Sequence, residues 1–455
     1  MKRKKYTLTT AQANARPHKG FKDTLDFFNE TTNSEMQYCP TIGMNSSEKD
    51  TLMHFNLNNG EFLYDNKSYN DNIKYEPRYV RPQAIDPVSG LAHIVGQGKS
   101  VIIGHPQIRV KHFASDEAHK YPRAVISTGA ITVPNYSDKD TRYAERRRLG
   151  RIAKDHHTYG AMLLGISGSK RFHFRHVRAD SKGRFVDLGT LYEGNKDPQT
   201  VDTKCLIVPD YHNGANEQHV VDAVKGMVDE YAPLNIVLHD FLNMHSVNPH
   251  GDHELIYQRM IHTHDVGNHN LERELEEGYN ELVELSEMAP QATIYVVDCN
   301  HHRFLNRWLD EGKFVKDVGN ARLGFKLATA YASGKNPVLE GLRHVGGKIP
   351  KNIKFTKSSQ SVRIGGIEVN KHGDQGIFNK RASIKQMEQI HRKIIYGHCH
   401  TGEQYHDIYS VGTMTPRYPF YGKGAPSNST HTVGMIDWLN KPQFVNIMDG
   451  KYKLR

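Results

Sequence analysis

The rhythm of apolar positions changes near residue 204. Ahead of it lie short runs rich in β-branched and aromatic residues: SVIIGHPQIRVKHF from Ser100, RAVISTGAITV from Arg123, YGAMLLGI from Tyr159, RFHFRHV from Arg171 and RFVDLGTLY from Arg184. Gly, Ser and Asp break them, a pattern that predicts strands. One helix is predicted among them, in DTRYAERRRLGRIAKDHH from Asp140. Residues 1–80 hold no long apolar run and are rich in Asn, Lys, Thr and Tyr. Within them LNNGEFLYDNKSYNDN, from Leu57, reads as a short hairpin and then loop.

From about Lys204 strands alternate with helices. KCLIVPD is a buried strand, and Val220, Val224, Met227, Val228 and Tyr231 then recur at helical spacing. LNIVLHD, an amphipathic acidic helix in NLERELEEGYNELVELSEM, and ATIYVVDCN follow. Beyond them are a helix in NARLGFKLATAYASG, strands in KNIKFT and SVRIGGIEVNKHG, a helix in SIKQMEQIHRKI and a strand ending IIYGHCH. HTVGMIDW and QFVNIMDGKYKL read as final edge strands. The expected organisation is an N-terminal arm or small accessory module (1–80), a β-rich basic domain (81–203) and an α/β catalytic domain (204–455).

No apolar run approaches the ~20 residues that span a bilayer. The basic start MKRKKYTLTTAQ lacks the apolar core of a signal peptide, so a soluble cytoplasmic protein is expected. Four cysteines without CxxC spacing argue against a disulfide framework or a structural zinc site. Lys and Arg number 60 against 50 Asp and Glu, a net charge of +10 that suits a polyanionic partner such as nucleic acid. Arg146, Arg147, Arg148 and Arg151 crowd the predicted short helix together with Lys154. They read either as phosphate contacts or as a solvated face.

The candidate chemistry is an ordered series after predicted strands. Asp210 and His212 stand in VPDYH, Asp240 in IVLHD, Asn300 in VVDCNHH, His372 in NKHGDQG, and His398 and His400 in YGHCH. Each piece alone is common. Together they supply enough oxygen and nitrogen donors for two divalent cations sharing the Asp240 carboxylate, a device for phosphate ester hydrolysis. His301, beside Asn300, is better placed as a proton donor than as a ligand. His302 and Arg303 follow it and are candidate substrate contacts.

This order is similar to that of the calcineurin-like metallophosphoesterases: Asp-x-His, Gly-Asp, Gly-Asn-His-(Asp/Glu), His, Gly-His-x-His. The likeness covers about residues 204–420 and is specific in combination. It implies a four-layer α/β sandwich, two mixed sheets flanked by helices. It also implies that Asp210, His212 and His400 hold one metal, that Asn300, His372 and His398 hold the other, that Asp240 bridges them, and that His301 is the general acid. Manganese is the first expectation for both ions, with zinc or iron as alternatives. There are departures: His239 and Cys299 replace family glycines, and His302 replaces the acidic residue that orients the catalytic histidine. The segment between Asp240 and Asn300 is long and His-rich (MHSVNPHGDHELIYQRMIHTHDVGNHN), a candidate substrate wall, dimer contact or loop over the site.

With the basic balance, the resemblance points to the nuclease branch, in the style of early DNA-degrading nucleases of large phages. The Asn/Lys/Tyr-rich composition is compatible with a phage origin, hence host cytoplasm. The expected function is a DNase using a metal-bridging hydroxide and a His general acid. Two readings stay open: a phosphatase or cyclic nucleotide phosphodiesterase on small substrates, and a non-catalytic nucleic-acid-binding protein. The sequence leaves self-association into a homo-oligomer open as well.

Overall fold

The structure, a computed structural model, describes residues 3–41, 57, 59–95, 98–115, 121–136, 143–249, 269–418 and 425–454. It is an α/β protein with several mixed sheets. One has six strands in the order Ile353–Phe355, Thr293–Val296, Asn235–Leu238, Cys205–Val208, Thr432–Ile436, Pro442–Asn446. The first four are parallel and the last two antiparallel. Parallel neighbours need crossovers. Helices Gln218–Tyr231, Leu271–Met288, Asn300–Asp310, Ala321–Ala332 and Pro337–Gly346 provide them.

Alternation along the strands assigns the two faces. Leu206, Val208, Ile236 and Leu238 pack with Val220, Val224, Met227, Val228 and Tyr231, the predicted helical stripe. Cys205, Ile207 and Val237 instead meet Ile367, Val369, Ile395 and Tyr409 of a second sheet. That sheet buries Ile394, Tyr396 and Ile408 under Ile384 and Met387 of helix Ile384–Ile390. Helix, sheet, sheet and helix therefore stack in that order around residues 204–410, an arrangement compatible with a sandwich.

The second sheet has ten strands. In order they are Arg363–Ile364, Ile367–Glu368, Ile394–Tyr396, Ile408–Ser410, Glu403–Tyr405, Arg109–Phe113, Arg123–Ser127, Ser100–Ile103, Ile73–Tyr75 and Lys67–Ser68. It runs straight across the 203/204 boundary read from the sequence. Arg109, only 2% exposed, fastens the junction. Its guanidinium donates to Glu403 (2.7 Å), to the Gln404 carbonyl (2.7 Å) and to Asp86 (3.2 Å).

Three further expectations are corrected. Residues 4–41 are no arm: strand Lys4–Gln12, helix Lys19–Thr32 and strand Glu35–Thr41 form a parallel unit. That unit shares a five-stranded sheet with Gly160–Ser167, Arg171–Arg178 and Glu61–Phe62. Its first strand looks polar because its buried residues include threonines, and their hydroxyls find partners in Asn29 (2.6 Å), the Gly160 carbonyl (2.8 Å) and Thr128 (2.7 Å). The hairpin expected after Leu57 also differs. Glu61–Phe62 joins the five-stranded sheet, whereas Lys67–Ser68 pairs with Ile73–Tyr75 in the ten-stranded one. Finally, Thr432–Ile436 lies inside the six-stranded sheet and is fully buried; only Pro442–Asn446 is an edge.

Among the described residues no helix is long and apolar enough to cross a membrane. All four cysteines are free. His105, His112, His157 and His176 are buried against backbone carbonyls, and burial pushes each down to about 4. Their folded values lie below the unfolded value of ~6.5, so the unfolded chain binds more protons. Their contribution is complete above about pH 6.5 and is lost as pH falls toward about 4. At about pH 5 the loss is up to roughly 2 kcal/mol per histidine. Thermal melts should show a clear drop in Tm between about pH 7.5 and about pH 5. Equal values would contradict this account.

Candidate metal centre

Strand ends deliver all seven predicted ligands. Asp210 and His212 follow Cys205–Val208, Asp240 follows Asn235–Leu238, and Asn300 opens helix Asn300–Asp310 after Thr293–Val296. His372 follows Ile367–Glu368, and His398 and His400 follow Ile394–Tyr396 of the facing sheet. The chain turns sharply there. His212 (φ 47°), Asp240 (φ 41°), His398 (φ 67°) and His400 (φ 56°) all adopt left-handed backbone. Such residues persist only where surrounding structure holds them, and they concentrate at functional sites. Here the 210–213 loop is zipped to the next one: the N–H groups of Tyr211, His212 and Asn213 donate to the carbonyls of His239, Asp240 and Phe241 at 2.8–2.9 Å.

Two groups of donors result. Asp210, His212, Asp240 and His400 bring one ligand atom each within 4.8 Å of one another, and so do Asp240, His372 and His398. Asp240 belongs to both. In the first group His400 Nε2 lies 3.1 Å from His212 Nε2 and 3.3 Å from Asp210 Oδ2, and His212 Nε2 lies 3.7 Å from Asp240 Oδ2. In the second, His372 Nε2 lies 3.1 Å from Asp240 Oδ2, and Asn300 Oδ1 lies 3.0 Å from His372 Nε2 and 3.1 Å from His398 Nδ1. Donors held ~2.1 Å from a cation sit about 3.0–3.4 Å from one another, the spacing seen here.

The electrostatics agree with cation ligation. Burial pushes the Asp210 carboxyl well up, and the nearby Asp240 carboxylate adds to it. Neither Asp210 oxygen has a well-formed hydrogen bond, although the His398 N–H lies near enough to favour the charged form; Asp240 Oδ1 and His372 Nδ1 are also unpartnered. Burial acts against ionisation of Asp240 too, but the imidazoles of His372, His301 and His212 hold it well below the carboxylate range. Burial likewise pushes His398 and His400 down to about 3 and His212 well down, leaving neutral rings with lone pairs to give. Two buried carboxylates with bare oxygens are costly unless a cation sits between them. The residues present therefore fit a metal ion at each group.

His301 is half-buried, with its ring 4.7 Å from that of His212. Its Nδ1 lies 2.6 Å from the Asn243 carbonyl. That backbone oxygen takes the orienting place that the family gives to an acidic side chain, and it leaves Nε2 as the proton-transfer position. The residue standing in the acid's place, His302, is buried with Nε2 unpartnered, so it neither faces solvent nor reaches a substrate. Arg303 forms ion pairs with Asp298 (3.1 Å) and with Asp374, two residues past His372. Its charge is spent bracing the helix against the His372 loop, which corrects its reading as a phosphate contact.

Two features escaped sequence reasoning or were misread. His239, in place of a family glycine, is fully buried with both ring nitrogens unpartnered, and its ring stacks 5.7 Å from that of His372. Gly397 matters through close approach rather than through a turn. A Cβ there would lie 2.2 Å from Asp210 Oδ1 and 2.9 Å from the His239 Cβ. Gly397→Ala should displace Asp210, costing roughly 1–3 kcal/mol of stability and weakening cation binding. Calorimetric titration with manganese checks this; unchanged affinity would show that the site tolerates the extra methyl.

The basic helix forms over Ala144–His156, with Arg146, Arg148 and Arg151 exposed and Arg147 half-buried. Among the described residues none of the four arginines is ion-paired. The helix joins the catalytic half where His156 stacks on His406, ring centroids 3.5 Å apart. A third donor group, Glu217, His219 and His431, lies beyond the Asp210 loop and was not legible as a motif. Most of the His-rich segment before Asn300, residues 250–268, lies outside the described residues.

The chain is similar to a phage protein. Protein A1 of Escherichia phage T5 is 24% identical to it across 99% of this chain and 83% of its own length. That likeness agrees with a phage origin and extends through the residues ahead of 204. No protein-family model matches the sequence, and no solved structure matches it.

Proposed function

We propose that this protein is a two-metal phosphodiesterase that hydrolyses DNA, on a sandwich of the calcineurin-like metallophosphoesterase kind. One observation carries the reading: two donor groups share the Asp240 carboxylate, at the ends of strands from two facing sheets. Asp210, His212, Asp240 and His400 would hold one cation, and Asp240, Asn300, His372 and His398 the other. The mixture of carboxylate, amide and imidazole suits manganese first, with zinc or iron as alternatives. Bound there, the cations would neutralise charge on a scissile phosphate and make water acidic enough to supply a nucleophile near neutral pH.

The side chains divide the remaining work. His301, tethered at Nδ1, presents Nε2 to the leaving oxygen and donates the proton that departure requires. The four arginines of helix Ala144–His156 offer a phosphate-binding strip on the same molecule. The net charge of +10 favours a polyanion over a small phosphate ester.

The direct test is turnover of bis-p-nitrophenyl phosphate with manganese and with chelator, followed by degradation of linear duplex, circular duplex and single-stranded DNA. Manganese-dependent turnover of the small diester without any action on DNA would favour a small-molecule phosphodiesterase. Affinity for DNA should fall steeply with salt. Replacing Arg146, Arg148 and Arg151 together by alanine should flatten the log–log salt slope by about 1 for each phosphate that is no longer neutralised. An unchanged slope would remove that helix from the interface.

A further inference from the structure

The loop that leaves His372 carries a feature that ligand positioning does not require. It spans Gly373 to Ala382 and is closed at its base by the Ala382 N–H donating to the Gly373 carbonyl at 3.0 Å. At its tip Phe378 is 91% exposed, with φ 56° and ψ 34°, and Asn379 follows at φ 60°. A single exposed apolar side chain needs no explanation by itself. An exposed aromatic in left-handed backbone does, because bulky residues avoid that region and nothing apolar is gained in return.

The loop begins and ends at the metal centre. It starts one residue after His372. Near its other end the Arg381 guanidinium donates to the carbonyl of Cys399, between His398 and His400, at 3.3 Å. Phe378 is three residues from Arg381, so at most about 11 Å of chain separates them. Lys380 and Arg381 are exposed, and among the described residues neither is ion-paired to a carboxylate. An aromatic ring beside free cations, at the edge of a phosphodiesterase centre, is the equipment for a nucleotide whose base is unstacked.

We propose that Phe378 is a stacking platform for a nucleobase of single-stranded DNA, adjacent to the scissile phosphate, with Lys380 and Arg381 on the flanking phosphates. This rests on the phosphodiesterase reading above. Stacking on one ring is a sequence-tolerant contact, because every base offers a flat face. A base paired within a duplex cannot use it.

The experiment uses manganese-loaded full-length protein and a deoxythymidine oligonucleotide. Phe378→Ala should raise KM about 5- to 100-fold with little change in kcat, and Phe378→Trp should restore it. On an oligonucleotide lacking the bases beside the cleavage position, wild type and Phe378→Ala should become equal. Equal KM values on the intact oligonucleotide would overturn the inference and leave the phosphodiesterase reading standing. A Phe378→Ala defect that persists on the abasic strand would also overturn it, since the ring would then be acting through the loop and not through a base. A wild-type protein that cleaves no diester at all would remove the reading and the inference together.

Discussion

Asp240→Ala is expected to abolish cation binding and diester hydrolysis together. Asp240 is the side chain that both donor groups contain, so its loss strips an oxygen from each. It also leaves Asp210 facing the cluster with unpartnered oxygens and no second carboxylate to share a cation. We expect turnover to fall by at least about 10³-fold, equivalent to ~4 kcal/mol of barrier, and metal content per chain to drop toward zero. Elemental analysis after gel filtration measures the second quantity without relying on activity. Because the carboxylate is buried and its backbone strained, Asp240→Asn is the companion variant. It keeps the shape and should still lose most of the metal. Retention of two cations per chain by both variants would end the shared-carboxylate assignment.

His301→Ala is expected to separate the two quantities. Its Nδ1 is spoken for by the Asn243 carbonyl, and its Nε2 is free to move a proton. Removing a general acid typically costs about 10²–10⁴ in rate. Cation binding should persist, because His301 belongs to neither donor group. The loss should shrink for substrates whose leaving group departs without a proton, such as p-nitrophenolate. A His301→Ala enzyme with full turnover on DNA, beside an inactive Asp240→Ala enzyme, would show that the histidine has no part in proton transfer.

The seven ligand positions were legible because each follows a short apolar strand, and strand ends in open α/β sheets deliver side chains to one crevice. Their partition was also legible: His398 and His400, two residues apart, fall in different groups, as the expectation of two ions required. What could not be read were the facts that depend on which way a side chain turns. His302 follows His301 on the helix, yet one is buried and the other half-buried. Arg303 had every appearance of a phosphate ligand until Asp298 and Asp374 were seen to hold it. The N-terminal strand was missed for a compositional reason. Buried threonines bonding to one another and to backbone look polar in sequence, although they are interior.

The ten-stranded sheet sets a condition on how this chain is made. Arg109 and its partner Glu403 are 294 residues apart, so the seam between them cannot close until most of the polypeptide has been synthesised. Until then the edge of strand Arg109–Phe113 that Glu403–Tyr405 will cover stays open, and a buried guanidinium waits for its acid. Contacts of such long sequence separation form slowly. A fragment beginning near residue 204 would carry all seven ligands and still lack the neighbour that completes the sheet holding His398 and His400. The N-terminal segments thus act as the scaffold against which the last hundred or so residues must dock.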